Sequence, residues 1–101
     1  MRTTIRLSCP GSPSNYVVVV STEWQSRYGL GNPANTGTCD LFIVPMDADE
    51  KPLQDGHLDV KLEPGESRSW YKPPPGTAKI AAVCSKSCNG SAVLEFDMPS
   101  A

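Results

Sequence analysis

Long apolar runs are missing from this sequence. The longest, Val17-Val18-Val19-Val20, has the length of a strand and falls far short of the ~18 residues of a membrane span. Membrane insertion is excluded on that ground. Positive charge is not in excess either: nine Lys and Arg stand against eleven Asp and Glu, a net charge of −2. Without a basic footprint for phosphates, nucleic acid is excluded as a partner. Histidine is limited to His57, which follows Asp-Gly as an exposed turn residue. With no local motif pairing it to a cysteine or carboxylate, no catalytic residue is assigned and no enzyme is expected. Phosphate-cradling glycine loops are absent, and no cofactor is implied.

The start of the chain, Met1-Arg2-Thr3-Thr4-Ile5-Arg6-Leu7-Ser8, alternates charged or polar with apolar residues. It lacks the apolar block of a Sec-type signal peptide. The chain is therefore expected to act without export by that route, or to begin at a mature terminus behind an added Met.

Glycine and proline are abundant, eight and ten in 101 residues, which argues for tight turns and against long helices. The dominant period is two. Ile5 and Leu7 share one face, Leu58, Val60 and Leu62 another, and Leu94, Phe96 and Met98 a third, as in half-buried strands. Tyr16–Val20, Leu41–Val44 and Ile80–Cys84 are continuous apolar runs suited to strands covered on both faces. Ser67–Lys72 reads as a more exposed strand. Turn residues punctuate these segments at Cys9–Pro13, Gln54–Gly56, Glu63–Glu66 and Pro73–Gly76. The triple proline reads as a stiff connection, and Asn89-Gly90 as a hairpin turn. The expected fold is all-β: one domain over residues 1–101, an antiparallel sandwich of about seven strands, Ig-like or jelly-roll-like, with one long loop.

That loop is Ser21–Thr38, rich in Gly and Asn but carrying Trp24 and Tyr28. Thr22 and Gln25 resemble a capping box and Gly29 a C-terminal cap, so a short helix is expected at Thr22–Tyr28. It would set both aromatics on one face, either as partner anchors or folded back over the open end of the sandwich.

The four cysteines, Cys9, Cys39, Cys84 and Cys88, allow three full pairings. Local spacing favours Cys84–Cys88 across one turn and Cys9–Cys39 across the long loop in an oxidising setting. Free thiols and zinc are the competing states, but zinc sites commonly pair two tight knuckles and only Cys84/Cys88 is tight, so no metal is assigned. Seven of the eleven acidic residues lie between Asp47 and Glu66. Asp47-Ala48-Asp49-Glu50 begins like a calcium loop, but Lys51 and Pro52 break the ligand pattern. A solvated acidic edge that discourages strand pairing is the simpler reading.

Exclusion and composition together point to a non-enzymatic structural subunit, such as a virion decoration or cement protein. It would dock on a larger protein lattice or associate with itself, in a virion or extracellular setting. Its interface residues would be Trp24, Tyr28, Trp70 and Tyr71, aided by a mobile Ser21–Thr38 loop and by terminal arms at Met1–Thr3 and Pro99–Ala101. The alternative is an extracellular or periplasmic carbohydrate- or ligand-binding module that stacks on the same aromatics.

Overall fold

In a computed structural model of the chain, residues 2–11, 16–53 and 60–98 are described. His57, Leu58, Met1 and Pro99–Ala101 lie outside them. Eight strands form two four-stranded antiparallel sheets: β1 (Arg2–Cys9), β2 (Val17–Val20), β3 (Leu30–Asn35), β4 (Leu41–Met46), β5 (Val60–Leu62), β6 (Trp70–Tyr71), β7 (Lys79–Cys84) and β8 (Gly90–Asp97). One short helix, α1 (Glu23–Tyr28), joins β2 to β3.

The first sheet has the order β1-β8-β3-β6 and the second β2-β7-β4-β5. First pairs with last, second with seventh, third with sixth and fourth with fifth. This is one long hairpin rolled across two sheets, a jelly roll, so the sandwich expected from the sequence takes its jelly-roll path and not the Ig-like one.

Period-two alternation builds the core. From the first sheet Leu7, Leu30, Ala92, Leu94, Phe96 and Tyr71 point inward; from the second come Val20, Leu41, Ile43, Leu62, Ile80 and Ala82. β4 and β7 are the two middle strands of their sheet and are lined on both faces, as their unbroken apolar runs imply. Their outward residues Val44, Met46 and Ala81 form a second cluster with half-buried Tyr16, Phe42 and Val83.

Three expectations need correction. Ser21–Thr38 is not a mobile loop: it supplies α1 and then β3, an inner strand between β8 and β6. Its turn-like composition is accommodated because the β3–β8 register shifts between Gly31 and Ala34, which spares Pro33 a ladder bond it cannot donate. The N-terminal arm is likewise absorbed, Arg2 and Thr3 pairing with Asp97 and Phe96. Finally, Asn89-Gly90 closes no hairpin, because β7 and β8 belong to different sheets and residues 85–89 cross between them. The triple proline does connect strands, carrying the chain from β6 to β7 across the sheets.

The helix starts at Thr22, but the capping box is altered. The Thr22 hydroxyl donates to the Gln25 side-chain carbonyl at 2.5 Å and makes no bond to the backbone. Gly29 ends the helix at φ 100°, its N–H donating to the Gln25 carbonyl. A Cβ there would stand 2.1 Å from the Tyr71 carbonyl oxygen, so only glycine lets α1 turn so closely over β6.

Candidate functional site

The connections gather at two poles. At one, α1 and Pro73–Gly76 flank the β3–β6 pairing of Leu30 with Tyr71 and Gly31 with Trp70. At the other lie the ends of β1 and β7, the start of β8 and all four cysteines.

The first pole carries the exposed aromatics. Trp24 is 48%, Tyr28 50% and Trp70 40% exposed. Trp24 stands one helical turn before Tyr28 on the same side of α1. The Tyr28 and Trp70 rings meet edge to face, with centroids 4.8 Å apart and planes at 68°. Residues 42 positions apart in sequence are thereby joined in a surface notch. Beside it Arg27, Lys72, Pro73, Pro74, Pro75 and Gly76 line a shallow open depression, with the Arg27 guanidinium ion-paired to Glu23. Thr77 holds the proline turn, its hydroxyl donating to the Pro74 carbonyl at 2.8 Å.

Tyr71 does not belong to this surface. It is 4% exposed and packed in the core, because neighbours on a strand point to opposite faces and Trp70 takes the outer one. Trp24, by contrast, is no part of the buried core.

No known protein family, characterised protein or solved structure matches this chain. Among the described residues no helix is long and apolar enough to cross a membrane.

The acidic stretch is used structurally where it is described. The Asp47 carboxylate accepts the backbone N–H groups of Asp49 and Lys51 at 2.9 and 3.0 Å, closing its own turn. Glu50 reaches over the outer face of the second sheet, accepting the Tyr16 hydroxyl at 2.7 Å and the Lys79 ammonium at 3.0 Å. The Tyr16 bond, then Lys79, hold the Glu50 carboxyl below its ordinary 4.5. The same bond raises the Tyr16 phenol above 10.0. A lowered carboxyl pKa contributes stability that is present above the unfolded value and lost as pH falls through the folded one. Thermal unfolding followed from pH 7 to pH 3 should therefore show a stability loss beginning near pH 4.5, and Glu50→Gln should flatten that limb. Equal acid profiles for the two proteins would show that the Tyr16–Glu50–Lys79 contact contributes nothing.

At the second pole the pairing is Cys9–Cys84 and Cys39–Cys88, which corrects the expected Cys84–Cys88 and Cys9–Cys39. The sheet crossing at residues 85–89 sends the two nearby cysteines to different partners. Cys9–Cys84 ties β1 to β7 across the sandwich, and Cys39–Cys88 ties the β3–β4 crossing to the β7–β8 crossing. Such bonds belong to an oxidising compartment. The sulfurs of Cys9, Cys39 and Cys84 all lie within 4.8 Å of one another.

Asn35, which the sequence reading passed over, is the polar centre beside them and is 1% exposed. Its amide nitrogen donates to the carbonyls of Cys39 at 2.8 Å and Leu62 at 2.9 Å. Its side-chain oxygen accepts the N–H of Gly37 at 3.0 Å and of Val93 at 3.3 Å. One side chain so joins β3 and β8 of one sheet to β5 of the other.

Proposed function

We propose that this protein is a non-enzymatic docking subunit that seats its α1–β6 edge on a larger protein assembly, as virion decoration or cement subunits do, or on a second copy of itself. The carrying observation is the exposed Tyr28–Trp70 ring contact, with Trp24 one turn earlier in α1 and Arg27 next to Tyr28 in the chain; the three aromatics are 40–50% exposed. Trp, Tyr and Arg are the residues that most often dominate protein interfaces. Jelly rolls carry capsid and lectin functions alike, so the fold does not choose between the readings and the site must.

The alternative, a carbohydrate-binding module, gains from the Tyr28–Trp70 contact, which overcomes their separation in sequence. A sugar ring, however, lies flat against an aromatic face, and rings inclined at 68° shape a wedge better suited to a side chain.

Light scattering after size exclusion, with and without candidate particles, tests the docking reading. Trp70→Ala or Tyr28→Ala should weaken the association about 30-fold, the ~2 kcal/mol of an interface hot spot, while the circular dichroism spectrum stays unchanged. A protein that is monomeric at all concentrations and binds no particle overturns it. Quenching of tryptophan fluorescence by a glycan panel would then favour the sugar-binding reading.

A further inference from the structure

The cysteine pole is independent of the aromatic edge and carries chemistry of its own. Four cysteines from four places in the chain converge there: Cys9 ends β1, Cys39 lies in the β3–β4 crossing, Cys84 ends β7 and Cys88 lies in the β7–β8 crossing. Cys39 is 1% and Cys84 4% exposed. Three of the sulfurs lie within 4.8 Å of one another, and the fourth is bonded to that of Cys39. A tetrahedral thiolate site with metal–sulfur bonds of about 2.3 Å places its sulfurs about 3.8 Å apart. No pair among the Cys9, Cys39 and Cys84 sulfurs exceeds that spacing by more than about 1 Å. The backbone around them is drawn in closely. A Cβ on Gly90 would stand 3.3 Å from the Cys39 sulfur, and one on Gly11 would stand 2.3 Å from the Cys84 carbonyl oxygen.

We infer that, once reduced, this pole is a thiolate site for a tetrahedral divalent cation of the zinc type. Cys9, Cys39 and Cys84 form its core and Cys88 its fourth ligand. Two equivalents of thiol reductant are consumed at each disulfide: its S–S bond breaks, two cysteine thiols form and the reductant leaves as its own disulfide. The cation then displaces a proton from each of the four thiols and forms four metal–sulfur bonds. Tight sequence knuckles, the usual mark of such a site, are replaced by two sheet crossings and the ends of β1 and β7, which meet at one end of the sandwich. The pole is thus closed in either redox regime, by two covalent bonds when oxidised and by one ion when reduced.

The test titrates the fully reduced full-length chain with Co2+ without oxygen, following the thiolate-to-metal charge-transfer absorption and the far-ultraviolet circular dichroism together. One Co2+ per chain is expected, with an intense charge-transfer band and a β-type spectrum, displaced by one equivalent of Zn2+. Cys84→Ser should weaken binding at least a hundredfold. Cys88→Ser should keep the one-to-one stoichiometry at reduced affinity. Absence of the band in the reduced wild-type chain overturns the inference, as does a band that Cys84→Ser leaves unchanged. A reduced chain that is unfolded and that neither metal refolds overturns it equally, since binding to this site and closure of the pole are one event.

Discussion

Replacing Cys9 and Cys84 together by serine should lower the unfolding free energy by about 3–4 kcal/mol. The bond closes a loop with a sequence separation of 75 residues, for which the chain-entropy estimate is an upper value of about 4.5 kcal/mol. A domain of this size has a total stability of about 5–15 kcal/mol, so the loss takes a large share of what holds it folded. Guanidinium unfolding should show the midpoint moving to lower denaturant. A shift worth less than about 1 kcal/mol would mean that the β1–β7 tie constrains little that packing does not already fix. The Cys39–Cys88 bond, with a separation of 49 residues, should cost about as much when removed. The two losses should not add independently, because the bonds lie side by side.

Asn35→Leu should be of similar severity, about 4 kcal/mol, although it removes no covalent bond and adds apolar surface to the interior. Four hydrogen bonds end on this one amide, and leucine would strand two carbonyls and two N–H groups, three of them in buried bonds and the Gly37 N–H in a half-buried one. Each stranded group costs roughly 1–3 kcal/mol, offset in part by the added burial. Asn35→Asp separates this effect from a change of size. It keeps the acceptor for Gly37 and Val93 but turns a carboxylate toward the carbonyls of Cys39 and Leu62. Burial and those carbonyls raise its pKa in the folded state, so the contribution of the protonated form is present at low pH and lost as pH rises through that raised value. Denaturant unfolding should show Asn35→Asp much less stable than the wild type at pH 7, the gap narrowing as the pH falls toward 4. A gap that stays constant with pH would show that the carboxylate does not occupy the amide's position.

The parts of this fold that local pattern determines were legible in the sequence. Ile5 with Leu7 and Leu94 with Phe96 announce β1 and β8 by alternation, and the runs at Leu41–Val44 and Ile80–Cys84 announce two inner strands. β3 was not legible, since Leu-Gly-Asn-Pro-Ala-Asn has the composition of a turn and becomes a strand only because β8 and β6 offer partners on either side. Half of Asn35 was readable: its bond to the N–H two residues on is the ordinary Asx turn of an Asn-Thr-Gly sequence. Its bonds to Leu62 and Val93 depend on the sheets meeting. Reading Trp70 and Tyr71 as one surface runs against the period-two rule, which alone separates them. The cysteine pairing failed because a spacing of four residues suggests a local bridge, and nothing in Ser-Lys-Ser shows that the chain changes sheets there.

The interleaved order of the two disulfides has a consequence for proteolysis. Cys9 joins Cys84 and Cys39 joins Cys88, so the two covalent loops overlap. A single backbone nick anywhere between Cys9 and Cys88 therefore releases no fragment. Between Cys39 and Cys84, a stretch that includes the β4–β5 and β6–β7 connections, both halves stay joined twice. Had the neighbours in sequence paired with each other, the same nick would have cut the chain into two separate pieces. A protease that finds an exposed turn in that stretch can thus open the backbone without separating its pieces, and the cleaved chain stays covalently whole until a reductant arrives.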